Sequence, residues 1–244
     1  MSGAFHVGGD EYDNFMGRYS TVLAPLFADF AGVSSGDRVL DVGAGTGALT
    51  ATLLARGASV VAADPSPEFA AVLRERFSGL EVEEAPAESL PYGAGVFDVA
   101  LAQLVVAFME DAPAGVAEMA RVANGRVAVC MWDLKQHELL ASVMNVRERM
   151  GEEDREPRRY RTSAEIEELV GPGAECAALD VEADYEDFED YWTSLLGGAG
   201  PLGAWVASLD GERLETARAE LIRELGNPSG AFTLKARCWA AKRG

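Results

Sequence analysis

The 244-residue sequence predicts a doubly wound α/β fold, a mostly parallel seven-stranded sheet with helices on both faces. Three observations carry this prediction. Short runs that are apolar almost throughout, such as RVLDV at 38–42, ASVVAA at 58–63 and RVAVCM at 126–131, read as strands buried on both faces. Segments of helical periodicity separate them. A glycine-rich turn, GAGTG at 43–47, joins the first such strand to the first such helix.

The elements follow in order. Residues 1–35 are mixed and aromatic, with Phe5, Tyr12, Phe15 and Tyr19 preceding an apolar-periodic run from Leu23 to Phe30. They predict a helical N-terminal extension ending near Gly32. The strand at 38–42 stops at the glycine turn. A helix follows with Leu49, Leu53 and Leu54 on one face and Gly57 as its C-terminal stop. The second strand ends at Asp64. Ser66 and Pro67 then supply an N-cap and a proline at the first helical position, opening a helix to about Phe77. A short strand at 80–83 precedes a loop from Ala85 to Gly95, a strand at 96–102, a helix at 113–123, an Asn124-Gly125 turn and the strand at 126–131. The second half is less regular, with helices predicted near 138–150, 164–170 and 212–225 and strands near 176–181 and 232–239. Neither internal repeat nor low-complexity linker interrupts it. A single domain over 1–244 is therefore expected, with a core at 36–134, the extension at 1–35, and a cap over the sheet edge formed by an insertion at 185–228.

Forty acidic against twenty-one basic residues give a net charge of −19, which repels a phosphate backbone and argues against nucleic-acid binding. Cys130, Cys176 and Cys238 are odd in number and widely spaced, so they predict neither a disulfide framework nor a CxxC pair. With only His6 and His137 as imidazoles, no metal site is expected. The start lacks the basic flank and apolar run of a signal peptide, and the longest apolar stretch, Val99 to Met109, is too short to span a bilayer. The expectation is a soluble, cytoplasmic monomer or homodimer with no membrane partner.

The turn at 43–47 is the informative stretch. Its alternate glycines let a ligand approach the backbone at a helix N-terminus. Taken alone it is ambiguous, because Gly43, Gly45 and Ala48 also satisfy the dinucleotide pattern G-x-G-x-x-G/A. Asp41, two residues before the first glycine, bears on the choice. A carboxylate is unfavourable beside a pyrophosphate but attracts the ammonium and sulfonium of S-adenosylmethionine. Asp64, 17 residues beyond Gly47, suits both ribose hydroxyls and disfavours a 2′-phosphate. In the plainer reading it is a surface carboxylate at a helix start.

Four segments in this order, VLDVGAGTG (39–47), VVAADPS (60–66), AESLPY (87–92) and FDVALAQ (97–103), resemble the class I S-adenosylmethionine-dependent methyltransferases. Within that Rossmann-like family the likeness is to the type-11 methyltransferase domain, found in ubiquinone and menaquinone biosynthesis enzymes. The resemblance covers about 36–134 and continues more weakly through 15–20 and 188–239. It implies that Gly43, Gly45 and Gly47 line the methionine and ribose end of the donor, that Asp64 holds the ribose, and that Pro65 and Ser66 flank the adenine. It further places Ala87 and Glu88 along the adenine edge, with Gln103 facing the methionine part. Where related sequences show an acidic residue before Ala87, this one has Pro86, which leaves adenine to backbone groups, Glu88 or Ser66. Arg18 is the candidate cation for the methionine carboxylate, or else an ordinary surface arginine.

Methyl transfer needs alignment and exclusion of water more than a catalytic dyad, and alignment alone supplies roughly 7–11 kcal/mol. Tyr19, His137 and Asp133 are the candidate bases for a small-molecule acceptor, although His137 reads first as a surface residue at a helix entry and only second as a base. Tyr12, Tyr19, Trp132 and Trp205 are pocket-wall or core aromatics. The run Arg155, Arg158, Arg159, Arg161 follows Glu152, Glu153 and Asp154 and reads as a self-neutralising loop. The acidic residues between Glu182 and Asp190 read as a strand exit and helix start. A nicotinamide-dependent oxidoreductase and a non-catalytic S-adenosylmethionine-binding protein are the alternatives.

Overall fold

The computed structural model describes residues 9–124, 126–152, 159–198 and 200–244. Expectations resting on Phe5, His6, Gly125, Glu153, Asp154, Arg155 and Arg158 lie outside the described residues.

The strands are β1 (Arg38–Val42), β2 (Ser59–Ala63), β3 (Glu81–Glu83), β4 (Val99–Gln103), β5 (Val127–His137), β6 (Glu175–Tyr185) and β7 (Phe232–Arg243). They form one open sheet in the order β3-β2-β1-β4-β5-β7-β6. The pairs β3–β2, β2–β1, β1–β4 and β4–β5 are parallel, with Leu40 opposite Val61 on one side and Ala100 on the other. Strand order runs outward in opposite directions from β1 and β4. The crevice beyond their carboxyl ends is where such sheets bind ligands.

The helices are α1 (Gly9–Tyr12), α2 (Arg18–Phe30), α3 (Ala48–Ala55), α4 (Pro67–Arg76), α5 (Ala112–Val122), α6 (Glu138–Arg149), α7 (Ser163–Val170), α8 (Phe188–Leu196), α9 (Gly200–Ala207) and α10 (Gly211–Glu224). A π-helical turn, Asp13–Gly17, joins α1 to α2. Ser66 caps α4 as predicted, its hydroxyl accepting from the Phe69 N–H at 3.2 Å. Thr162 and Glu165 close a capping box on α7.

Contacts divide the chain into two compact units. The first takes 20–132, 158–179 and 238–244, and the second 1–19, 133–157 and 180–237, with β5, β6 and β7 contributing residues to both. In the first unit, Leu40, Val42, Val61, Ala100, Val127 and Val129 of the sheet bury one face with Val116, Met119 and Val122 of α5. In the second, Tyr19, Tyr185 and Tyr191 are fully buried, and Tyr185 stacks on Phe232 with ring centroids 5.3 Å apart. Helix α6 is tied to α10 by Arg149–Glu224 and Asn145–Glu224, both at 2.8 Å.

The strands of the sequence's second half are longer than predicted. Strand β6 continues to Tyr185 because Val181, Ala183 and Tyr185 are buried while Glu182 and Asp184 face out. That alternation belongs to a half-exposed strand and is masked by the run of acids. The reading of those acids holds at their far end, where Asp187 caps α8 by accepting from the Asp190 N–H at 3.0 Å.

Candidate functional site

The glycine turn leaves the carboxyl end of β1, and its three glycines are required for different reasons. Gly43 has φ +68, and a Cβ there would lie 2.5 Å from a Val105 methyl, so the loop after β4 demands a bare Cα. Gly47 has φ +94 and abuts the Phe77 ring, where a Cβ would come within 2.4 Å. Its lack of a side chain serves packing against the end of α4. Gly45, at φ +56, has nothing within 4 Å of its Cβ direction. Of the three, it alone faces open space.

Asp41 lies beneath this turn, 1% exposed, and accepts a 2.6 Å hydrogen bond from the Thr50 hydroxyl. Burial pushes its pKa up to about 7, Thr50 opposing the shift and Asp64 adding to it. Asp64, at the end of β2, is 5% exposed, so it is not a surface carboxylate. One of its oxygens accepts from the Gly45 N–H at 2.8 Å and the other from the Ser66 N–H at 2.9 Å. Asp64 therefore ties the glycine turn to the start of α4. Burial raises its pKa while these two bonds oppose the rise.

Gln103 ends β4. Its Nε2 donates to the Ser20 carbonyl at 3.1 Å, fixing the carboxamide, while its buried Oε1 has no hydrogen-bond partner. A buried acceptor left unmade costs about 1–3 kcal/mol, so a hydrogen-bond donor brought to this atom would be favoured.

The remaining expected residues are more structural. Pro65 is exposed, and the Ser66 hydroxyl is engaged by Glu68 at 2.8 Å as well as by Phe69. Ala87 is 6% exposed in the core beside Gly115 of α5. Glu88 accepts from the Asp111 N–H at 2.9 Å, holding the start of α5.

Arg18 makes the acidic pairing of its second reading. Its guanidinium is paired with both carboxylate oxygens of Asp190 and donates to the Asp184 carbonyl, which commits its charge inside the second unit. Of the candidate bases, Tyr19 is fully buried with its hydroxyl 3.3 Å from that of Tyr185, and burial drives its pKa upward. His137 does start α6, but it is fully buried against the Tyr19 ring at 4.6 Å, and burial lowers its pKa to about 3. It stays neutral, and it is not a surface residue. Asp133 accepts from the Lys135 N–H at 3.0 Å. Tyr19, Trp132 and Trp205 are core residues.

Sequence reasoning missed Thr50, Ser20 and Val105. Thr50 follows Asp41 by nine residues within the same strand–turn–helix unit and was legible in principle as its partner. Ser20 contributes only a carbonyl, which no side-chain pattern announces.

Residues 40–129 match the family described as methyltransferase domain. Among curated relatives, an uncharacterized protein of Mycobacterium tuberculosis is 38% identical over 116 residues, 45% of this chain and 42% of its own length. A demethylmenaquinone methyltransferase of Clavibacter sepedonicus is 37% identical over 101 residues, 39% of this chain and 41% of its own. The matched region thus spans about two-fifths of each relative. Among solved structures, a Haemonchus contortus phosphoethanolamine N-methyltransferase 2 complexed with S-adenosylhomocysteine shares the fold at TM-score 0.55 and 16% identity, over 96% of this chain and 56% of its own. No helix among the described residues is long and apolar enough to cross a membrane. The glycine turn, the buried Asp41 and the unpartnered Gln103 oxygen all lie within the segment, residues 40–129, that matches the methyltransferase-domain family.

Proposed function

We propose that the chain transfers a methyl group from S-adenosylmethionine to a small-molecule acceptor, with the donor held in the crevice beyond β1, β2 and β4. The observation that carries this reading is the Gln103 Oε1, a buried acceptor without a hydrogen-bond partner at the end of β4, together with a buried Asp41, bonded to the neutral Thr50, on the adjacent strand β1. Both favour a cationic, hydrogen-donating group such as the donor's ammonium. Open space at Gly45 suits close approach of the donor's ribose and methionine end, and the remaining lone pairs of Asp64 suit ribose hydroxyls. In this reading Gly43 and Gly47 shape the turn without touching the donor, and Arg18 does not hold its carboxylate.

When bound, S-adenosylmethionine supplies an activated methyl group on a sulfonium. The chain's own task is to orient it and exclude water. Asp41 and Gln103 hold the amino-acid end, and Asp64 fixes the nucleoside. Neutral His137 and buried Tyr19 are poor proton acceptors near pH 7. That favours acceptors that react without prior loss of a proton, or whose proton leaves to solvent.

The test is transfer of label from methyl-tritiated S-adenosylmethionine to a panel of amine, thiol, phenol and carbon-acid acceptors. Label in a product confirms the activity. Donor binding without transfer to any class leaves a donor-binding protein and overturns the catalytic part.

A further inference from the structure

The backbone immediately after Gln103 is strained. Leu104 adopts φ +64, a left-handed conformation that leucine rarely takes, and it is only 7% exposed. Its own N–H donates to the Cys130 carbonyl at 3.0 Å, so the turn is pinned to β5. At the next residue, the Val105 side chain lies against Gly43, leaving no room for a Cβ there. One residue earlier, the Gln103 carboxamide is held through Nε2 by Ser20 with Oε1 open. A bend at Leu104 thus sits between the two elements that shape the crevice, the Gln103 oxygen and the Gly43 turn. Such strain persists only where surrounding structure enforces it, and it concentrates where geometry serves function.

We propose that Leu104 is a positioning residue whose left-handed turn presents the Gln103 oxygen to the amino-acid end of the donor and seats Val105 on the glycine turn. The inference rests on the donor reading above and adds to it a residue that no sequence motif singles out. Leucine is the tolerable choice for the turn. A γ-branched side chain enters the left-handed region at a moderate cost, whereas a β-branched one does not fit there. The same turn in glycine is free of strain.

The experiment compares two ligands in the full chain by calorimetric titration. S-adenosylhomocysteine carries the amino-acid end, and 5′-methylthioadenosine lacks it. Leu104→Ile keeps side-chain volume and forbids the turn. We expect it to weaken S-adenosylhomocysteine binding by about tenfold or more, a lost hydrogen bond to a charged group, with 5′-methylthioadenosine within about twofold of wild type. Leu104→Gly restores the turn and should keep S-adenosylhomocysteine affinity within about threefold of wild type. Equal loss of both ligands in Leu104→Ile, no loss, or equal S-adenosylhomocysteine loss in the isoleucine and glycine variants overturns the proposal. Should Leu104→Ile fail to fold, Leu104→Ala takes its place. Alanine differs from glycine by a single Cβ, which makes the turn less accessible to it, so it must lose more S-adenosylhomocysteine affinity than Leu104→Gly, and equal loss refutes the role. If the wild-type chain binds neither ligand, the donor reading itself falls, and this inference with it.

Discussion

Replacing Asp41 with asparagine separates the stability of the chain from its affinity for the donor. The carboxyl is 1% exposed, its hydrogen bond comes from the neutral Thr50 hydroxyl, and burial raises its pKa from 3.8 to about 7. Between those values the native chain keeps a proton that the unfolded chain has lost. Stability from this group therefore falls as pH rises through the window and levels off above about 7. In Asp41→Asn the amide oxygen still accepts from Thr50, and this part of the pH dependence disappears. At about 1.36 kcal/mol for each pH step, the variant gains roughly 2 kcal/mol on wild type between about pH 5.5 and about pH 8. Contributions from titrating groups that do not interact with Asp41 cancel in the difference. Urea unfolding of both proteins at the two pH values, followed by tryptophan fluorescence, measures it. The same variant should bind S-adenosylmethionine about tenfold more weakly at pH 8, having lost the anion that meets its positive charges. A stability gap that does not change with pH, or undiminished donor affinity, refutes the reasoning.

Other outcomes follow from the same geometry. Gly43→Ala meets Val105 and a positive φ together and should lose about 2–4 kcal/mol of stability in urea, whereas Gly45→Ala, with strain alone, should lose about 1–2 kcal/mol. Arg18→Ala breaks the pair with Asp190, so urea stability should fall by about 1 kcal/mol. S-adenosylmethionine and its decarboxylated analogue should change equally in affinity, and a selective loss of the former would restore Arg18 to the donor site. Asp64→Ala strands the Gly45 and Ser66 N–H groups, so it should weaken S-adenosylhomocysteine binding by about 1.5–3 kcal/mol and lower the melting temperature as well. With His137 held neutral down to about pH 3, His137→Asn should leave the shape of the pH–rate profile of methyl transfer unchanged, and loss of an inflection in the variant would make His137 a titrating group.

What the sequence made legible was local. The boundaries of β1, the cap at Ser66 and the start of α6 follow from adjacent residues, through apolar runs, a hydroxyl before proline and a charged turn. The same holds for Asp41, Asp64 and Gln103, each at the end of a buried strand in a parallel sheet and hence at one edge. What it did not announce was distant or packing-dependent. Arg18 meets Asp190 across 172 residues of sequence, and nothing near either one announces the other. Gly47 packs against Phe77 and Glu88 accepts from the Asp111 N–H, contacts that no local pattern announces. The acidic run hid the end of β6 because charged residues at alternate positions of a half-exposed strand resemble a solvated loop. Leu104 carries no sequence signal, since its left-handed turn is held by a hydrogen bond to Cys130, a residue distant in sequence.

The central claim is that a buried, anionic crevice at the ends of β1, β2 and β4 selects a cationic nucleoside. Parallel calorimetric titrations of the wild-type chain with S-adenosylmethionine and with NADH test it most directly. The account predicts saturable one-to-one binding of S-adenosylmethionine and none of NADH. Binding of NADH with no response to S-adenosylmethionine would contradict it.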